Sequence, residues 1–263
     1  MNEEMSLKKY PRTPHLAGSR LQPGDEDLSQ IPFSRTKGKY LVIEEKCDGA
    51  NSAISFSETG GLLLQSRGHY LTGGYRERHY NLMKQWANVH REAFYDVLGT
   101  RYIMYGEWMY AKHSIFYDKL PAYFLEFDIL DRDTGLFLDT PSRRKLTGRI
   151  PVVSVPVLKE GVFATQKEVL GLLGESRFIS PNHIERLREL CVREGIDPER
   201  QCRETDPSAL MEGLYIKVEQ DGCVTERMKY VRSGFAQCVD ESGTHWLDRP
   251  IIPNQLEAAG SIW

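Results

Sequence analysis

The 263-residue chain has no long apolar run. Nowhere do eighteen or so hydrophobic residues follow one another, as a membrane-crossing helix requires. Its opening, Met-Asn-Glu-Glu-Met, is acidic with no apolar stretch behind it, so no secretory leader is expected. Cysteines are few and odd in number: Cys47, Cys191, Cys202, Cys223 and Cys238, with no Cys-x-x-Cys pair among them. The seven histidines are equally scattered. That spacing argues against a disulfide framework or a structural zinc site and fits reduced thiols acting as small core residues. Excess positive charge is missing too, since 34 Lys and Arg face 37 Asp and Glu for a net charge of −3. A surface coated in basic charge is thereby excluded, and any contact with a polyanion must be a local patch. Repeats and low-complexity segments are absent. What remains, 40 % hydrophobic and 27 % charged residues, is the ordinary globular balance and supports a core without staples. A cytoplasmic protein is the expectation.

Residues 1–38, rich in Pro, Gly, Ser and charge, read as an N-terminal arm packed on the domain that follows. Alternating apolar residues predict strands over 39–45, 51–57 and 62–66, with Glu58-Thr-Gly-Gly61 closing a hairpin. Helical spacing of Met83, Trp86, Val89, Ala93, Phe94 and Val97 predicts one helix over 80–98, stopped by Gly99. Aromatic-rich strands are predicted over 101–109 and 123–130. From 141 to about 210 the pattern turns mainly helical, with helix starts at Thr140-Pro141 and Ser180-Pro181. A last hairpin spans 213–219 and 223–232, and residues 233–263 form a short C-terminal extension. The layout is α+β, with antiparallel strands carrying the informative residues and helices outside them.

The central run is Glu44-Glu45-Lys46-Cys47-Asp48-Gly49-Ala50-Asn51. A lysine leaving a buried strand into a tight glycine turn points into whatever cleft the sheet lines. Lys-x-Asp-Gly alone should arise by chance in about one chain in fifteen of this length. Its company carries more weight: Ser66-Arg67-Gly68, Tyr105-Gly106-Glu107, Phe124-Leu-Glu-Phe127-Asp128-Ile129, Glu212-Gly213-Leu-Tyr-Ile-Lys217 and Arg227-Met228-Lys229 follow in turn.

In order and strand context, these runs resemble the six motifs of the covalent nucleotidyltransferases: DNA ligases, RNA ligases and mRNA capping enzymes. The resemblance implies a nucleotidyltransferase domain over 39–232, with antiparallel sheets lining a nucleotide cleft. Lys46 would be the nucleophile that attacks ATP and carries AMP as lysyl-N–AMP. Glu45, Arg67 and Glu107 would contact the nucleotide or the incoming nucleic-acid end. Phe127 would stack on adenine with Asp128 supporting its strand, and Lys217 and Lys229 would grip the α-phosphate. Magnesium or manganese suits oxygen ligands such as Asp48, Glu107 and Glu212, directly or through water. A lysine amine attacks phosphorus only when neutral, so burial and neighbouring cations (Lys217, Lys229 and the metal) are expected to favour loss of its proton. Arg227 stands where many relatives carry the first lysine of a Lys-x-Lys pair. RNA contacts are expected from Arg12, His15, Arg20, Lys112 and Arg227, with His113 beside Lys112 at the substrate edge.

Only 34 residues follow Lys229, too few for the five-stranded OB barrel of DNA ligases and capping enzymes, so no OB domain is expected. The Phe-x-Phe-Asp run and the helical stretch before Glu212 look like the T4 RNA ligase 2-like group. Lys9-Tyr-Pro-Arg-Thr-Pro-His15 is similar to the opening of bacterial RNA ligases associated with polynucleotide kinases. An ATP-dependent RNA ligase joining 5′-phosphate and 3′-hydroxyl ends, active in RNA repair and partnered by a kinase, is what the resemblance implies. A DNA ligase, a capping guanylyltransferase and a non-catalytic nucleic-acid-binding relative are the competing readings.

Overall fold

The computed structural model describes residues 7–21, 24–25, 27–235 and 250–257. Twelve strands form one continuous, mainly antiparallel sheet. They are β1 (His15–Leu16), β2 (Gln30–Ile31), β3 (Leu41–Lys46), β4 (Ala50–Phe56), β5 (Leu62–Ser66) and β6 (Tyr102–Trp108), then β7 (Phe124–Asp131), β8 (Phe137–Leu138), β9 (Val153–Ser154), β10 (Val157–Gly161), β11 (Gly213–Gln220) and β12 (Cys223–Val231). Six α-helices accompany them among the described residues: α1 (Asn81–Val89), α2 (Arg91–Leu98), α3 (Thr140–Thr147), α4 (Gln166–Leu170), α5 (His183–Arg193) and α6 (Pro198–Arg203). The strand order β10-β3-β11-β12-β8-β7-β6-β4-β5 separates β3 from β4 by most of the sheet, although only Cys47–Gly49 join them in sequence. The chain therefore crosses from one half of the sheet to the other directly after Lys46, and a cleft opens there.

Alternation explains which faces meet. Leu41 and Ile43 of β3 and Leu214, Ile216 and Val218 of β11 bury on one side with Leu16, Phe163 and Val169. The opposite faces carry Glu44 and Lys46 on β3 and Tyr215 and Lys217 on β11. In the other half, α1 and α2 lay Met83, Trp86 and Phe94 against Ile54, Phe56 and Met104. Two glycines are required by close approach. A Cβ on Gly49 would lie 2.7 Å from Met109 Sδ and 2.9 Å from Glu107 Cγ, and one on Gly213 would lie 1.9 Å from the Tyr230 carbonyl.

Several expectations need correction. The single helix over 80–98 is two, broken at His90, and Val89 at its break is 62 % exposed rather than core. Residues 141–210 are less helical than expected, because β10 pairs antiparallel with β3 and β9 pairs parallel with β7. The helix near Ser180-Pro181 begins only at His183, whereas α3 starts at Thr140 with Asp139 accepting a 2.9 Å bond from the Ser142 amide. The N-terminal arm is part of the sheet: β1 pairs parallel with β12 and with β2, and Tyr10 and Leu16 are buried. Near the other end, Asn254 donates to the Met109 carbonyl and accepts from the Tyr117 amide, at 2.7 and 2.9 Å. Cys47, Cys191, Cys202 and Cys223 are free thiols, and Cys238 lies outside the described residues. No helix among the described residues is long and apolar enough to cross a membrane.

Candidate active site

The register of the sheet assembles the site. Lys46 ends β3 opposite Gly213, the residue after Glu212, and this places the Lys46 ammonium 2.6 Å from Glu212 Oε2. On the other half, Glu107 of β6 lies opposite Asn51 of β4, and Gly49 packs against its side chain. Lys46, Asp48, Glu107 and Glu212 thus share one cavity of about 790 Å³. Tyr10, Phe127 and Tyr215 form an aromatic wall, with the Tyr10 and Phe127 rings edge-on at 5.0 Å. Arg67 stands at the mouth, exposed, and its charge acts on Glu107.

Electrostatics correct one expectation. Burial would pull the Lys46 pKa down, but Glu212, Glu107 and Asp48 outweigh it and hold the ammonium above its usual value. The lysine is therefore held charged by carboxylates, not primed by cations. Burial pushes Glu107 up to about 7, against the opposing pull of Lys46 and Arg67. Burial also lowers Lys229, with the positive charge of Lys46 helping, although its 2.5 Å contact with Asp25 works the other way. Glu45 leaves the strand on the face opposite Lys46, near Ser176 and Arg177, and burial raises it to about 7. It still contributes to the cavity wall.

Lys217 does not reach the cavity. It is fully buried, paired with Glu44 Oε2 at 2.9 Å and Asp128 Oδ1 at 3.1 Å, and it donates to the Phe127 carbonyl. The expected grip on the α-phosphate is not the arrangement seen, since the ammonium faces Glu44, Asp128 and the Phe127 carbonyl instead of the cavity. Arg227 likewise does not line the cavity. Its Nε bonds Asp128 Oδ2 at 3.0 Å, and its guanidinium lies 3.8 Å over the Phe137 ring. With Glu126 and Arg143, these groups form a charge-balanced cluster of three acids and three bases beneath the cavity, tying α3 to β3, β7, β11 and β12. Within it Asp128 is drawn to about 2: burial alone would raise it, and Lys217 and Arg227 prevail.

The arm residues divide. His15 is buried between Ser19 and Asp25, which removes it from any RNA surface. Arg20 bonds the Ser233 carbonyl outside the cavity. Arg12 lines the cavity but pairs with Asp27. Lys112 and His113 also line it, His113 3.9 Å from Asp48 and Lys112 donating to the Glu204 carbonyl at 3.1 Å. Asp25, Tyr10, Tyr215, Glu44 and Arg143 were missed from sequence. Tyr10, Glu44 and Tyr215 stand within runs already singled out, Tyr215 two residues from Lys217 on one strand face, whereas Asp25 and Arg143 had no such signal.

Among the described residues, no three His, Cys, Asp or Glu side chains form a ready metal cage. Asp48 fits that role least, since its Oδ2 accepts from the amides of Ser114 and Ile115 at 2.8 and 3.0 Å. Glu107 and Glu212 do fit a partly hydrated hard cation, which is usually bound by one or two carboxylates together with substrate phosphates.

The site is thus a lysine held by carboxylates in the cleft of a two-halved antiparallel sheet, with an aromatic wall lining the same cavity. The RNA ligase family model matches residues 39–231, and the chain belongs to that family. Its fold is similar to that of an RNA ligase variant from Naegleria gruberi determined with ATP and manganese, at 15 % identity and a TM-score of 0.51 over 86 % of this chain and 56 % of that one. A second variant with ATP and manganese matches at 15 % identity and a TM-score of 0.50, over 84 % and 60 %. The chain thus spans about half to three-fifths of those relatives' length. No curated protein matches the chain.

Proposed function

We propose that the chain carries out the nucleotidyl-transfer chemistry of an ATP-dependent RNA ligase. The observation that carries this reading is Lys46, 2.6 Å from Glu212, in one cavity with Glu107, Lys229 and an aromatic wall. The Lys46 amine gives up its proton and attacks the α-phosphorus of ATP, forming an N–P bond as the bond to pyrophosphate breaks. A 5′-phosphate oxygen of RNA then takes the adenylate from Lys46, and a 3′-hydroxyl displaces AMP to join the strands. Glu212 accepts the ammonium's hydrogen bond and is positioned to receive its proton. Phe127 stacks on adenine, Glu45 contributes to the cavity wall that holds the nucleotide, and Lys229 binds phosphate once Asp25 yields it. Magnesium or manganese held by Glu107 and Glu212 would neutralise phosphate charge. We place residues 39–232 as the catalytic domain, the location as cytoplasmic, and the role as RNA repair beside a polynucleotide kinase.

The test is incubation with α-labelled ATP or GTP and a divalent metal, followed by addition of 5′-phosphorylated RNA or DNA. The expected outcome is a denaturation-resistant AMP label that chases into RNA and yields joined product. A GMP label would make the protein a capping-type enzyme, and no label at all would leave a binding relative.

A further inference from the structure

The cavity is chemically lopsided. Near the aromatic wall its cations are Arg12 and Lys229, both already paired with arm aspartates. A second group of cations, Arg67, Arg76, Arg78 and Lys112, also lines it, and the charge of Arg67 acts on Glu107. The total volume, about 790 Å³, lies in the upper part of the roughly 300–1,000 Å³ range of ligand pockets.

Two of these cations, Arg76 and Arg78, rest on a fixed turn. Gly73 and Gly74 adopt positive φ, and a 3₁₀ helix over Tyr75–Tyr80 follows. Buried Glu77 holds it in place, accepting from the Thr72 and Gly73 amides at 3.2 and 2.8 Å and from the Lys84 ammonium at 2.5 Å. Trp108 closes the base of the turn by donating to the His79 carbonyl at 2.8 Å. Arg76 and Arg78 flank Glu77 on this rigid frame, and Arg76 is exposed with no ion pair among the described residues. Tyr75 stands just outside the cavity, 71 % exposed, with the Arg78 guanidinium 4.7 Å from its ring centre. A triphosphate tail needs cations but has no use for an exposed ring. A single-stranded polynucleotide uses both, setting bases on aromatic faces and phosphates on arginines.

We infer that the Tyr75–Arg78 turn is the seat of the polynucleotide that receives the adenylate: Tyr75 and Arg78 hold a base near the 5′ end, and Arg76 holds backbone phosphate. The inference rests on the ligase reading above and adds its second substrate site. Because the turn is pinned before any ligand arrives, little ordering cost accompanies binding.

The experiment uses the full chain with Arg76→Glu, and with Tyr75→Ala combined with Arg78→Ala; Tyr75 and Arg76 are exposed and Arg78 is half-buried. Two quantities are read: covalent labelling by ATP, and binding and adenylylation of a fluorescent 5′-phosphorylated single-stranded RNA at several salt concentrations. Labelling should stay within about twofold of the unaltered chain. RNA binding and AMP transfer should both fall by about tenfold or more, and for Arg76→Glu the salt dependence of binding should become shallower. Unchanged RNA binding would overturn the inference. So would a loss of ATP labelling as large as the loss of transfer, because the turn would then serve the triphosphate. If the unaltered chain never labels, the ligase reading fails, yet RNA affinity still decides the fate of this turn.

Discussion

In the proposed reaction Lys46 would meet ATP with its proton firmly held, and that would fix how the first step responds to pH. Glu212, Glu107 and Asp48 keep the ammonium above its ordinary pKa, so the neutral amine is scarce near neutrality and grows about tenfold per pH unit. Single-turnover labelling at saturating ATP should therefore rise between about pH 6 and 9. Glu107, raised to about 7, gains its charge within that window and adds to the hold on the proton. Glu107→Gln removes that charge at every pH, so Lys46 should lose its proton more readily. The profile should move to lower pH, whatever happens to the maximal rate. An unmoved profile would show that the Glu107 charge does not govern the nucleophile. At this scale Lys46, Glu107 and Glu212 were legible because their runs stand in strands that the fold brings together. That Lys217 and Arg227 would turn to Glu44 and Asp128 beneath the cavity was not legible, because residue type does not disclose which buried partner a charge will meet.

At the scale of elements, β3, β4, β6, β7 and the β11–β12 hairpin were readable from alternation and glycine turns, while the arm and the stretch after α3 were not. Strand β10 carries Lys159 and Glu160 and ends at Gly161, so it has almost no apolar alternation. It becomes a strand only because β3 offers it a free edge. The two-residue strands of the arm are tertiary products in the same sense, since His15 pairs with Lys229 more than two hundred residues away. Leu16 tests whether the arm is structural. It is fully buried among Leu41, Ile216 and Met228, so Leu16→Ala should cost about 2–5 kcal/mol in chemical denaturation. A change within about 0.5 kcal/mol would mean that the arm is a loosely attached leader.

For the whole molecule, the two halves of the sheet are joined beside the site by the short crossover at Cys47–Gly49, and the lysine sits at its start. The buried cluster of Glu44, Glu126, Asp128, Arg143, Lys217 and Arg227 ties the floor together, and the cavity above it is lined by the aromatic wall proposed for the nucleotide and by the basic residues proposed for the polynucleotide. Such an arrangement makes Lys46 the hinge of the chemistry, since both proposed substrates meet there. The most direct measurement is peptide mapping by mass spectrometry after reaction with ATP and manganese, on the unaltered chain and on Lys46→Ala. The account predicts one adenylate per chain, on the peptide containing Lys46, lost in acid and absent from the variant although the variant remains folded. An adenylate on any other residue, or a Lys46→Ala protein that still labels, would contradict it.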